Sequence, residues 1–91
     1  MKKKIAILGS TGSIGKTLLD IIQKDKKNFQ IELLTANQNY KLLLQQAKKF
    51  KVKNLILTNE LSYNIVKKKS NKLKINVFNN FDELNKILKK N

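Results

Sequence analysis

Residues 4–22 read KIAILGSTGSIGKTLLDII and set the architecture that the rest of the chain follows. The run at 4–8 is apolar from its second position onward, which is typical of a strand buried on both faces of a parallel sheet. After the glycines, apolar residues recur at helical spacing and predict one buried helix face. That face consists of Ile14, Leu18, Ile21 and Ile22. The segment therefore predicts a strand, a glycine turn and a helix.

The remaining sequence repeats this alternation of strand and helix. Apolar runs at 31–34, 55–57 and 75–78 predict three more strands, and residues 67–71 are the most loop-like stretch. Thr58 or Asn59 is expected to cap the third helix. The apolar positions of the later helices are Leu43, Leu44, Ala47 and Phe50, then Leu61, Ile65 and Val66, then Phe81, Leu84, Ile87 and Leu88. We predict an α/β fold, an incomplete Rossmann-like doubly wound parallel sheet in the order β-α-β-α-β-α-β-α.

Composition excludes several classes of site. The chain has 91 residues, the length of one small domain, and contains neither cysteine nor histidine. Thiolate and imidazole chemistry is therefore impossible, and we assign no catalytic residue and no metal ligand in this chain. The apolar run after Lys2–Lys4 stops at Gly9, too early for a secretory signal, and no stretch is long enough to span a bilayer. We expect a cytoplasmic protein without a membrane partner.

The net charge of +14 raises the alternative of a small basic nucleic-acid-binding module. All 20 basic residues are lysine, however, and they are spread along the chain. Arginine is the usual residue for bidentate contacts with phosphates and bases. No basic face with interleaved aromatic residues is evident, so we expect a solvated surface and no nucleic-acid partner.

All three glycines of the protein lie in the segment GSTGSIG at 9–15. Such a turn delivers the chain into a helix whose free amides and positive end attract phosphate oxygens, and the hydroxyls of Thr11 and Ser13 add donors. The spacing is one residue wider than G-x-G-x-x-G, but the flanking strand and helix are those of a dinucleotide-binding unit. The spacing of a mononucleotide P-loop is absent. The alternative is a tight turn that binds nothing.

The end of the second strand indicates which dinucleotide is bound. Domains that prefer NAD place a carboxylate there for the ribose hydroxyls, whereas this chain has Asn37, Gln38 and Asn39. Amide donors, with Lys41 close by, favour the 2′-phosphate of NADP. The alternative for these three residues is a polar turn, because asparagine tolerates turn geometry.

Several of these motifs together resemble one family. The glycine segment followed by LDII at 19–22 is similar to the N-terminus of the 1-deoxy-D-xylulose 5-phosphate reductoisomerases. The similarity continues through FQI at 29–31, LLTA at 33–36 and Asn39, and the later alternation agrees with the cofactor domain of that family.

The resemblance implies a set of cofactor contacts. The residues expected to line the NADPH pyrophosphate are Thr11, Gly12, Ser13 and Ile14, and those expected around the adenosine ribose and its 2′-phosphate are Asn37, Gln38 and Asn39. Family members generally have glycine and then lysine or arginine where this chain has Asn37 and Gln38. The preference for NADPH is therefore expected to be weaker here, or Lys41 substitutes for the missing cation.

The resemblance also implies a reaction, the NADPH-dependent conversion of 1-deoxy-D-xylulose 5-phosphate to 2-C-methyl-D-erythritol 4-phosphate in isoprenoid synthesis. The family enzyme uses a divalent metal, Mg or Mn, held by carboxylates of later segments, and we expect a homodimer at full length. Residues 1–91 are then the N-terminal part of the NADPH-binding domain, without the catalytic and C-terminal domains, and inactive alone. The alternative is the cofactor domain of another NADP-dependent dehydrogenase, such as a semialdehyde dehydrogenase.

Overall fold

The computed structural model describes residues 2–82, 84 and 87. Within them the chain forms four strands and three helices, in the order β1 Lys3–Ile7, α1 Ser13–Gln23, β2 Phe29–Ala36, α2 Tyr40–Phe50, β3 Asn54–Leu57, α3 Glu60–Leu73 and β4 Asn76–Phe78. The strands make one parallel sheet in the order β1-β2-β3-β4. The predicted α/β alternation and parallel sheet are confirmed.

The helices are distributed over the sheet as right-handed crossovers require. With sequential strand order, right-handed connections place α1, α2 and α3 on the same face. The large core cluster indeed joins residues of all three helices to alternate strand residues such as Leu34, Leu55 and Leu57. On the opposite face, Leu33 and Ile56 pack with Ile87. Both faces of the sheet are therefore buried, as in a doubly wound fold.

A β-bulge in β2 allows Ile31 and Leu34, three residues apart, to pack on the same face of the sheet. Ile5 pairs with Ile31 but Ala6 pairs with Leu33, so Glu32 is the extra residue. The carbonyl oxygen of Glu32 accepts a hydrogen bond from the side chain of Asn54. This extra residue changes the alternation of β2 before the strand reaches its carboxyl end.

The buried face of α1 differs from the predicted one. Gly15, Leu19 and Ile22 are buried, whereas Ile14, Leu18 and Ile21 are exposed. The buried residues recur at intervals of four and three, so they form a helical stripe as regular as the predicted one. The prediction is confirmed for Ile22 and wrong for the other three residues, because it counted only apolar side chains and missed a glycine that lets the helix approach the loop closely.

α3 is longer than predicted and also turns a different face inward. Residues 67–71, expected to be a loop, continue the helix. Lysine is a good helix former, and the hydroxyl of Ser70 donates to the carbonyl oxygen of Lys67, so the polar run does not interrupt the helix. Ser62, Val66 and Ser70 are buried, while Leu61 and Ile65, predicted to face the core, are exposed.

The fourth predicted helix is described at only two positions. Leu84 and Ile87 are helical and pack on the second face of the sheet, and Phe81 is exposed in a bend before them. Leu88, also assigned to that helix, lies outside the described residues. In the described part of the chain, no helix is long and apolar enough to cross a membrane.

Candidate functional site

The glycine segment forms a tight turn between β1 and α1. Gly9 has a φ of +68°, in the left-handed region that glycine adopts without strain. The N–H of Gly12 donates to the carbonyl oxygen of Gly9 over 3.0 Å, which closes the turn, and α1 begins at the next residue. The turn therefore places the start of α1 at the carboxyl end of the sheet.

Gly15 lies where α1 contacts this turn. A Cβ atom at this position would lie 2.5 Å from the Cα of Ser10 and still closer to the carbonyl oxygen of Gly9. Both are backbone atoms, so no side-chain rotation could relieve the clash. At Gly12 an added Cβ would be 3.5 Å from the same carbonyl oxygen, an ordinary contact. Packing therefore requires glycine at 15 and does not require it at 12.

The first turn of α1 offers hydrogen-bond donors to a ligand. The first bond within the helix runs from the N–H of Lys16 to the carbonyl oxygen of Gly12. The N–H groups of Ser13, Ile14 and Gly15 precede it and have no acceptor within the helix. Gly12, the N-cap, has no side chain to accept from them, and the first turn contains no acidic residue. This arrangement suits phosphate oxygens.

The structure brings the first group of predicted site residues together. Thr11 and Gly12 form the end of the turn, and Ser13 and Ile14 open α1. The side chain of Ile14 is 79% exposed, although the apolar periodicity had assigned it to the core. The resemblance had implied that Ile14 lines the cofactor, and an exposed side chain beside the free amides is consistent with that role.

The second group of predicted residues lies on the same edge of the sheet. Asn37, Gln38 and Asn39 are exposed and directly follow β2. Two bonds connect this strand end to the glycine turn: the N–H of Ser10 donates to the carbonyl oxygen of Thr35, and the N–H of Gly9 donates to the Thr35 hydroxyl, both over 2.9 Å. The two predicted groups of residues therefore lie at the same edge of the sheet and are joined through Thr35.

Two of these three side chains also have structural roles. Asn39 caps α2, because its Oδ1 accepts from the N–H of Leu42 over 3.3 Å. The Oδ1 of Asn37 accepts from the hydroxyl of Thr58 over 3.2 Å. Both contacts use the amide oxygen and leave the amide nitrogen as the donor that can face a ligand. The polar-turn alternative is thus compatible with ligand binding.

The chain between the end of β2 and the start of α3 carries only positive charge, and the exposed carboxylate of Glu60 follows in the first turn of α3. Lys41 is exposed in the first turn of α2, and no acidic residue occurs between positions 33 and 59. Glu32 is the nearest preceding carboxylate and is half-buried at the bulge of β2. A 2′-phosphate at the end of β2 would therefore meet a lysine and amide donors rather than a carboxylate, which would repel it.

A buried polar cluster beneath the turn was not predicted from the sequence. It consists of Ser10, Thr35 and Gln46. The Ser10 hydroxyl donates to Oε1 of Gln46 over 2.7 Å, and Nε2 of Gln46 donates to the carbonyl oxygen of Ser10 over 2.9 Å. One signal was available: Gln46 lies one turn from Leu43 and beside Ala47, on the apolar face of α2.

The described residues do not fit a divalent metal. They contain no group of three or more carboxylate-bearing side chains close enough to hold an ion. No step that needs a metal is therefore assigned to this part of the chain.

The chain matches one known family along nearly all of its length. A sequence model of the 1-deoxy-D-xylulose 5-phosphate reductoisomerase family matches residues 5–91. The chain is 60% identical over 89 residues to the 1-deoxy-D-xylulose 5-phosphate reductoisomerase of Pelagibacter ubique, an alignment that covers 98% of this chain and 23% of that protein. It thus spans less than a quarter of the length of the curated relatives it matches.

Two solved structures are similar to the fold. The Zymomonas mobilis 1-deoxy-D-xylulose 5-phosphate reductoisomerase in complex with NADPH superposes with a TM-score of 0.81 at 30% identity, covering 96% of this chain and 23% of that one. A DOX-P reductoisomerase in complex with NADPH, fosmidomycin and magnesium gives a TM-score of 0.76 at 27% identity, covering 84% of this chain and 19% of that one. The similarity therefore extends to a relative that was solved with a dinucleotide bound.

Proposed function

This chain belongs to the 1-deoxy-D-xylulose 5-phosphate reductoisomerase family, and on that basis we propose that it is the NADPH-binding portion of such an enzyme. The observation that carries the proposal is the start of α1, where a glycine turn and three unsatisfied amides face the edge of the sheet at which β2 presents its amide side chains. The similarity to a relative solved with NADPH supports it.

The proposed contacts follow from the chemistry of the two subsites. The amides of Ser13 and Ile14, with the hydroxyls of Thr11 and Ser13, donate to the pyrophosphate, and Gly12 leaves room for it. At the other subsite, the nitrogens of Asn37 and Asn39 and the side chain of Gln38 donate to the adenosine ribose and its 2′-phosphate. Lys41, in the first turn of α2 and two residues after Asn39, adds a positive charge.

The proposed reaction is that of the family, the NADPH-dependent conversion of 1-deoxy-D-xylulose 5-phosphate to 2-C-methyl-D-erythritol 4-phosphate in isoprenoid biosynthesis. The bound dinucleotide supplies the hydride, and the residues of this chain bind and orient it. The sugar phosphate and Mg or Mn would be held by other segments of a full-length enzyme. A full-length homodimer and a cytoplasmic location complete the proposal, and family membership disfavours the semialdehyde dehydrogenase alternative.

The proposal is tested by calorimetric titration of the chain, once circular dichroism confirms that it is folded. We expect NADPH to bind more tightly than NADH, because only NADPH carries the phosphate that Lys41 and the amides can recognise. Equal affinities would reject the 2′-phosphate subsite, and no binding of either dinucleotide by folded protein would reject the proposed function of the chain.

The nucleic-acid alternative has a separate test. Fluorescence titration with DNA and with RNA at rising salt is expected to give weak binding. Tight binding whose affinity falls steeply with salt concentration would instead support a polyanion-binding role for the lysines.

A further inference from the structure

We propose that Gln46 is a positioning residue that fixes the glycine turn relative to the end of β2, and thereby the pyrophosphate subsite relative to the ribose subsite. The inference rests on the proposed function. Gln46 belongs to α2, is only 7% exposed, and bonds to a residue 36 positions earlier in the chain. A long polar side chain buried in an otherwise apolar helix face costs free energy unless its hydrogen bonds are made, and here they are.

The two hydrogen bonds fix the orientation of the Gln46 amide. The carbonyl oxygen of Ser10 can only accept, so the group that faces it must be Nε2. Oε1 then faces the Ser10 hydroxyl, which donates to it. The hydroxyl and the carbonyl oxygen of Ser10 are thus both bonded to the Gln46 side chain. If the amide of Gln46 were flipped, its oxygen would face the carbonyl oxygen of Ser10 and one of the two bonds would be lost.

Ser10 occupies a position from which it controls the turn. It is fully buried and lies between Gly9, whose φ is positive, and the half-buried Thr11, after which Gly12 leads into α1. Its own N–H is bound to the carbonyl oxygen of Thr35. Without Gln46, the carbonyl oxygen of Ser10 would be a buried acceptor lacking its partner, and the turn would have to move toward solvent.

The cluster also connects elements that serve the two subsites. α2 begins at the Asn39 cap in the ribose subsite, and Gln46 lies two turns further along the same helix. From there it holds the turn that opens α1. The affinity of a dinucleotide that bridges both subsites depends on the distance between them. The affinity of a ligand that occupies the ribose subsite alone does not.

This difference supplies the test, in which the Gln46→Met variant is compared with Gln45→Met, its exposed neighbour in α2. The affinity for NADPH depends on both subsites. The affinity for adenosine 2′-monophosphate, which has no pyrophosphate, depends on the ribose subsite alone. We expect Gln46→Met to weaken NADPH binding about tenfold, because the displaced turn must be returned to its place before the dinucleotide can reach both subsites. Affinity for adenosine 2′-monophosphate should be unchanged, and Gln45→Met should change neither. Equal losses for both ligands, or no loss for NADPH, would overturn the proposal.

A second variant covers the case in which Gln46→Met does not fold. Ser10→Ala removes the hydroxyl, with its bond to Oε1 of Gln46 and its longer 3.4 Å contact with the carbonyl oxygen of Thr35. The bond from Nε2 of Gln46 to the carbonyl oxygen of residue 10 remains, so we expect a smaller effect, about threefold on NADPH. Adenosine 2′-monophosphate should again be unaffected. A Ser10→Ala variant that binds NADPH as tightly as the unmodified chain would count against a role for the cluster.

Hydrogen exchange without ligand separates this inference from the proposed function. In Gln46→Met or Ser10→Ala, the amides of Ser10 and Gly12 should exchange faster while those of β3 keep their rates. Unchanged exchange at Ser10 and Gly12 overturns the positioning role whether or not NADPH binds. Failure of the unmodified chain to bind NADPH, with faster exchange in the variants, overturns only the proposed function.

Discussion

The start of α1 differs from the starts of α2 and α3, although all three lie at the same edge of one sheet. Asn39 and Asn59 cap α2 and α3, each accepting a bond from an amide of the first turn. α1 begins instead at Gly12, which has no side chain with which to cap. A glycine N-cap is only a few tenths of a kcal/mol less favourable than an asparagine N-cap. The first turn of α1 is therefore left without a side-chain acceptor at little cost in stability, and a ligand phosphate could take the place of the cap.

We expect the largest loss of stability from a substitution at Gly15, where α1 packs on the glycine turn. Gly15→Ala places a Cβ against the backbone of Gly9 and Ser10, and we expect the free energy of unfolding to fall by about 3 kcal/mol. Gly12→Ala is the matched control, since its Cβ makes only an ordinary contact and its φ of −81° suits alanine. Urea denaturation of both variants measures the difference. Equal losses would show that α1 does not pack on the turn as described.

Giving α1 a cap of its own removes the difference between the helices. The side chain of Gly12→Asp would accept from the first-turn amides and add a negative charge at the place proposed for the pyrophosphate. We expect the affinity for NADPH to fall by more than about tenfold, while the free energy of unfolding changes by only a few tenths of a kcal/mol. Calorimetry and urea denaturation measure the two quantities. NADPH binding that survives the substitution would contradict the phosphate role of these amides.

The reverse change, removal of a cap, can be made at α3. Asn59→Ala removes the bond to the N–H of Ser62, and we expect the free energy of unfolding to fall by about 1 kcal/mol. Because this cap serves stability, the affinity for NADPH should be retained. Thermal or urea unfolding, followed by a titration of the folded variant, checks both expectations. A large loss of NADPH affinity would mean that the start of α3 also takes part in the site.

The smallest expected effect concerns the end of β2. Gln38→Arg places a cation beside the proposed 2′-phosphate, and we expect NADPH affinity to rise about threefold at low salt, with NADH affinity unchanged. The gain should diminish as salt screens the charge. Parallel titrations with the two dinucleotides measure it. An equal gain for NADH would place the new cation near the pyrophosphate instead.

Sequence patterns predicted the order of elements well because strands and helices have different periodicities. They also predicted that Asn59 or its neighbour caps α3, a signal that depends on one residue type at one position. The inward faces of α1 and α3 were predicted less well. In α3 the buried stripe includes two serines, Ser62 and Ser70, whose hydroxyls bond to carbonyl oxygens, and such compensation is invisible in a count of apolar residues.

The location of the candidate site could be predicted from the sequence, but the buried contacts that hold the glycine turn in place could not. Glycine spacing located the turn, and the carboxyl ends of adjacent parallel strands necessarily place residues 37–39 beside it. Gln46 could not be assigned, because its partner Ser10 is far away in sequence and only the packing of α2 brings the two together. Contacts of this kind follow from tertiary structure rather than from a local pattern.

A titration of the isotope-labelled chain with NADPH, followed through the backbone amide resonances, tests whether the start of α1 binds the pyrophosphate. We predict that the amides of Ser13, Ile14 and Gly15 shift strongly as the pyrophosphate takes the place of the missing cap, while the amide of Ser62, already bonded to Asn59, does not. Shifts of equal size at Ser62, or none at the start of α1 while NADPH binds, would contradict the claim that the uncapped helix is the phosphate site.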